Sequence, residues 1–153
     1  MPAAIIVRDI AKDDFDQWRP LWDGYNAFYE RVGPKALPEA VTQATWARFF
    51  DPAEPVNCLV AEMNGRLIGL VHFIFHRSTS MMNHTCYLQD LFTAAEARGK
   101  GVARTLIEAV YERAQAAGST RVYWLTHETN TTARALYDKV AMRSGFIQYQ
   151  KNF

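Results

Sequence analysis

The feature that most constrains this chain is the stretch EARGKGVART, residues 96–105, which directly follows the apolar run CYLQDLFT. Glycine reaches positive φ freely and costs conformational entropy elsewhere. A Gly-x-Gly step between a strand-like run and a helical pattern therefore marks backbone that turns tightly or lets something approach closely. The first-turn N–H groups of a helix lack intrahelical partners and sit at the positive end of its dipole, so such a junction favours an anion. Arg98, Lys100 and Arg104 surround it with cations. The local pattern predicts an anion-binding turn, and the rest of the chain has to supply the fold that carries it.

Residues 5–10, IIVRDI, read as a first strand, and residues 12–32 as a helix with Trp18, Leu21, Trp22, Tyr25, Phe28, Tyr29 and Val32 at helical spacing, kinked or restarted at Pro20. Residues 33–40 form a Gly/Pro loop and 41–50 a second helix. From Val56 the period changes to two. VNCLVAEM and RLIGLVHFIFH flank Asn64-Gly65, a pair suited to a tight turn with positive φ, and predict an antiparallel hairpin. TCYLQDLFT is the next strand, the helix after the glycine turn runs to about Ala117 before Gly118, VYWLT is a short strand, residues 131–140 a short helix headed by Asn130, and GFIQYQ a last strand. The order is that of an α+β domain spanning residues 1–153.

With 17 basic and 16 acidic residues the formal net charge is +1, without the basic excess that drives binding to nucleic acid phosphates. No apolar window reaches the ~18 residues of a membrane helix and no leader pattern is visible, which places the expected location in the cytoplasm. Cys58 and Cys86 lie inside apolar runs, as buried thiols do. His72, His76, His84 and His127 include candidate proton relays, although histidines scattered in strands and loops are more often structural, and they offer no convincing metal spacing, so no metal is expected.

Three nucleotide-type motifs use a glycine turn of this kind. The NTPase phosphate loop needs Gly-x4-Gly-Lys-Ser/Thr, which is absent, and the dinucleotide fingerprint needs glycine where Arg104 stands. The third, Arg/Gln-x-x-Gly-x-Gly/Ala, matches Arg98-Gly99-Lys100-Gly101-Val102-Ala103 without a gap. Here the chain resembles the GNAT superfamily of N-acetyltransferases. The likeness extends over YLQDLFT, ARTLIEAVYERAQAAG, RVYWLTHETN and ARALYDKVAMRSGFIQYQ, which look like the histone- and polyamine-acetylating branch and, more distantly, the diamine acetyltransferases. The resemblance implies a central, mostly antiparallel mixed sheet flanked by helices. It also implies acetyl-CoA as cosubstrate, with no metal.

By that resemblance residues 98–104, including Gly99, Gly101, Val102 and Ala103, hold the pyrophosphate, while the backbone of Leu91, Phe92 and Thr93 pairs with the pantetheine arm and an N–H near Leu91 or Phe92 faces the oxyanion of the tetrahedral intermediate. Tyr137 in ARALYDK matches the family's proton donor to the departing thiolate, and Asn130 matches a coenzyme contact as well as a helix cap. The diamine enzymes carry a glutamate where Gln89 stands in Leu88-Gln89-Asp90, which leaves Asp90 or Glu128 to deprotonate the amine. Tyr25, Tyr29 or Trp46 are candidates to edge the amine pocket, and Asp23, Glu30 and Glu128 to attract a polycation. The implied activity is acetyl transfer by direct attack of a primary amine, a polyamine or lysine-type acceptor of small-molecule or peptide form. The alternative is an acyl-CoA-binding sensor of the same fold. The resemblance also implies a homodimer.

Overall fold

A computed structural model describes residues 3–153. Its sheet has the order β1-β2-β3-β4-β5, formed by β1 (Ile6–Asp9), β2 (Val56–Met63), β3 (Arg66–His76), β4 (Thr85–Thr93) and β5 (Val122–Tyr123). Every pairing is antiparallel except β4 with β5. The Asn64-Gly65 turn joins β2 to β3 with φ of 53° and 76°, the positive values that the hairpin signal requires. The α+β fold with a mixed sheet and flanking helices is that of the GNAT acyltransferases.

Helices α1 (Phe15–Phe28) and α3 (Val102–Ala116) cover opposite faces of the sheet, and two glycines without positive φ set how closely they approach. A Cβ on Gly69 of β3 would stand 2.8 Å from Val102 Cγ1 of α3, and one on Gly24 of α1 would stand 2.7 Å from the Phe92 ring of β4. Along β3 the period of two therefore gives Gly69, Val71 and Phe73 to α3, and Leu70, His72 and Ile74 to α1. The core between these layers centres on Trp18, Leu70, Phe73, Leu106 and Ile107, all fully buried. Cys58 and Cys86 lie within it as free buried thiols, and burial pushes Cys86 up to about 12.

Four sequence expectations change. The first helix runs unbroken through Pro20 and ends at Phe28, while α2 spans Glu39–Arg48 and so begins two residues earlier than its apolar pattern. VYWLT contributes only Val122 and Tyr123 to the sheet, because the chain leaves β4 after two residue pairs. GFIQYQ forms no strand: residues 141–153 carry no regular structure, and Phe146, Ile147 and Tyr149 stand 92%, 76% and 87% exposed. Strand hydrogen bonds need an edge to receive them, and no edge of this sheet pairs with that segment.

Candidate active site

The site begins with the turn between β4 and α3 (Val102–Ala116). Gly99 and Gly101 both have φ of +79°, with open space where a Cβ would stand, so it is the backbone and not crowding that demands glycine. Gly101 occupies the N-cap of α3 and no side chain caps it; the Gly101 carbonyl accepts from the Thr105 N–H at 3.0 Å and from the Thr105 hydroxyl at 2.8 Å. The N–H groups of Val102, Ala103 and Arg104 precede that first helical bond and are left to face an anion. Arg98 and Lys100 are exposed, with no ion pair among the described residues. Arg104 is exposed as well, with its guanidinium in a surface ion pair to Glu108 one turn on at 3.0 Å.

Strand β4 adds an open edge. It pairs with β3 along its whole length, but β5 accompanies it only at Cys86 and Tyr87, so among the described residues no strand neighbours 88–93 on that side. An edge of that kind presents unpaired backbone donors and acceptors to an extended ligand arm. Leu91, Phe92 and Thr93 all belong to it.

A β-bulge then sorts the residues around position 89. Phe73 opposes Leu88, but His72 opposes Asp90, which makes Gln89 the extra residue on β4. Gln89 is exposed, whereas Asp90 is only 8% exposed, and both line a cleft of about 840 Å³ between the sheet and the first two helices. Asp90 Oδ2 lies 2.8 Å from His72 Nδ1, and the Trp18 indole N–H donates to His72 Nε2 at 3.2 Å. Tyr25 and Tyr29 line the same cleft. Burial, and next the charge of Asp90, push the Tyr25 phenol far above its ordinary range. Trp46 packs instead among Phe15, Trp18, Phe49 and Phe50 and does not line the cleft.

Tyr137 stands on α4 (Thr131–Val140), edge-on to Trp124 with ring centroids 5.3 Å apart. Burial, and then the neighbouring Tyr29 phenol, push it up, which keeps the proton on its oxygen at neutral pH. Asn130 heads that helix but makes no cap bond; its amide donates to Thr126 Oγ1 at 3.3 Å. Glu128 is exposed in the preceding turn and lies outside the cleft lining, so the two carboxylates proposed from sequence are separated, with Asp90 alone facing the cavity. Asp23 and Glu30 are also absent from that lining.

Two cleft residues carry no signal in the sequence, and a third, His72, stands there only as one of four scattered histidines. Arg31 and Arg48 both reach it from the ends of the first two helices, and His72 reaches it from the middle of an apolar strand. Only the bulge, invisible in a one-residue-at-a-time pattern, brings His72 and Asp90 face to face.

Residues 17–142 match the acetyltransferase (GNAT) family. The chain is 37% identical over 150 residues to the D-amino-acid N-acetyltransferase HPA3 of Saccharomyces cerevisiae, a match that covers 97% of this chain and 91% of that protein. Among solved structures it is similar to a probable acetyltransferase, with a TM-score of 0.84 at 21% identity and 97% of each chain covered. It is also similar to the aminoglycoside N-acetyltransferase AAC(6')-Iy in complex with CoA, with a TM-score of 0.82 at 17% identity over 99% of this chain and 97% of that one. With its family match extending from α1 through α4 and including the glycine turn, the chain belongs to the acetyltransferase (GNAT) family.

Proposed function

We propose that this acetyl-CoA-dependent N-acetyltransferase acetylates the amino group of a free amino acid. The observation that carries the reading is the charge of the cleft: Arg31 and Arg48 line it together with the nearly buried Asp90. Guanidinium groups suit a substrate carboxylate and Asp90 suits its ammonium, so the lining matches a zwitterion. The yeast relative named for D-amino acids supports the same class. A polyamine or lysine-type acceptor is the second reading, resting on the sequence likeness to the polyamine-acetylating branch. Its weakness is physical: an extended polycation would meet two guanidiniums in the cleft, without Asp23, Glu30 or Glu128 to offset them. Thiol release measured across D- and L-amino acids, polyamines, basic peptides and aminoglycosides decides between them. Arg31→Gln or Arg48→Gln should raise KM for the amino acid roughly tenfold, the effect of losing a charge-assisted hydrogen bond, and leave KM for acetyl-CoA unchanged. Preferred turnover of spermidine-like acceptors would overturn the amino-acid reading. Binding of acetyl-CoA with no thiol released from any acceptor would favour the sensor alternative.

The residues available fit the cosubstrate. The open first turn of α3, with Arg98 and Lys100 beside it, would hold the pyrophosphate, and the unpaired edge at Leu91, Phe92 and Thr93 would hold the amide-bearing arm and aim a backbone N–H at the carbonyl oxygen. Bound acetyl-CoA supplies an activated acyl thioester. Asp90 receives the acceptor ammonium and takes its proton, directly or through water. Tyr137 offers its phenolic proton to the departing sulfur. Neither thiol is placed to carry the acetyl group in between, because Cys58 and Cys86 are 3% and 0% exposed and burial raises both, which favours direct attack by the amine. Tyr137→Phe should lower kcat by about 100-fold while preserving acetyl-CoA binding, since it removes a proton and little else. An unchanged kcat would mean that the thiolate leaves unassisted.

We also propose that the protein is a homodimer. Phe146, Ile147 and Tyr149 are exposed side by side in the segment whose Gln148 and Gln150 line the cleft, and the pattern of GFIQYQ is that of a strand lacking an edge. Light scattering should report a dimer for the full chain and a monomer once residues 145–153 are removed. A full chain that stays monomeric at high concentration would refute this.

A further inference from the structure

We propose that Trp18 and His72 form a positioning device that fixes Asp90 for the acceptor amine. The chain of contacts runs inward from the cleft: Asp90 Oδ2 to His72 Nδ1 at 2.8 Å, then His72 Nε2 to the Trp18 indole nitrogen at 3.2 Å. An indole N–H can only donate, so the ring nitrogen that faces it must accept and carries no proton. The proton of the neutral imidazole is therefore on Nδ1, where it is donated to the carboxylate. Trp18 thus selects the tautomer, and the tautomer decides that Asp90 is held by a charge-assisted bond instead of facing a lone pair.

Burial makes the arrangement rigid. Trp18 and His72 are 0% and 3% exposed, and the imidazole is enclosed by the rings of Trp18, Trp22 and Phe49, with centroids at 6.0, 5.1 and 4.9 Å. The bulge at Gln89 completes it. In an unbroken register His72 would oppose Gln89, and the extra residue moves Asp90 into that position. A strand ladder irregularity, a histidine on an apolar strand and a tryptophan on α1 therefore converge on one carboxylate oxygen. Nothing in core packing requires a donor, an acceptor and an anion in this order, since an apolar side chain at position 72 would fill the same space without needing polar partners.

This inference rests on the reading that Asp90 faces the acceptor amine, and its test separates the two. Two substitutions divide the imidazole's bonds. His72→Asn keeps a donor near the Nδ1 position for Asp90, and His72→Gln keeps an acceptor near the Nε2 position for Trp18 while removing the donor to Asp90. With an amino acid acceptor, His72→Gln should raise KM for the amine roughly tenfold or more, the loss of one hydrogen bond to a charged group, with KM for acetyl-CoA unchanged. His72→Asn should recover most of that loss, which a purely space-filling role would not produce. Independently of any variant, ¹⁵N NMR of the imidazole in the wild-type protein should show the proton on Nδ1 and a bare Nε2 at neutral pH. A proton on Nε2, or equal impairment of the Asn and Gln variants, would overturn the proposal. Asp90→Asn is measured alongside: if it alone leaves KM for the amine and kcat unchanged, the role of Asp90 falls, whereas an impaired Asp90→Asn beside an unimpaired His72→Gln removes only the role of His72.

Discussion

Gly101→Asp should erase the stabilisation that acetyl-CoA gives to the folded protein. A ligand that binds only the native state adds about 2.7 kcal/mol at a hundredfold excess over Kd, which for a chain of this size raises Tm by roughly 5–10 °C. Two penalties act together in the variant. Position 101 has φ of +79°, which costs a residue with a Cβ roughly 1–2 kcal/mol, and the new carboxylate stands at the N-cap of α3 where the pyrophosphate must approach. Gly101→Ala separates them, because it keeps the strain and omits the charge. The Ala variant should melt lower yet retain part of the acetyl-CoA shift, while the Asp variant should show none. A full shift in the Asp variant would mean that the coenzyme binds elsewhere.

Asp90→Asn should lower kcat/KM for the amine by about 100-fold or more, the range for loss of a general base, with the acetyl-CoA shift in Tm intact. The substitution is nearly isosteric, so the fold should tolerate it. The amide oxygen can still accept from His72 Nδ1, which would turn the amide NH₂ toward the cleft and set a donor against the incoming ammonium. Asp90→Glu restores the charge with one methylene too many in a site that is 8% exposed, and should recover only part of the rate. Thiol release under saturating acetyl-CoA measures both. A rate equal to wild type in Asp90→Asn would assign the amine's proton to water and leave Asp90 with a structural role.

The glycine turn proposed to hold the cofactor was legible from sequence because its conformation is local. Gly99 and Gly101 need positive φ within a few residues of each other, the helix that follows supplies its own N–H groups, and Asn64-Gly65 specifies its hairpin turn in the same way. The α+β order and the buried cysteines also follow from periodicity or from the family likeness. The acceptor end was decided by contacts between residues far apart in the chain. Arg104 carries the charge expected of a phosphate ligand, and its guanidinium meets Glu108 in an exposed pair one turn on; Glu128 and Asp90 were equal candidates in the sequence, and the turn before α4 leaves Glu128 outside the cleft lining. His72 gained its partners from α1 and β4 together, 54 residues back and 18 residues on. GFIQYQ has the alternation of a strand, but a strand exists only where another edge accepts its hydrogen bonds, and within one chain that edge is missing. Backbone conformation at a glycine is a property of the residue, whereas the partner of a side chain is a property of the register, and one bulged residue on β4 was enough to choose it.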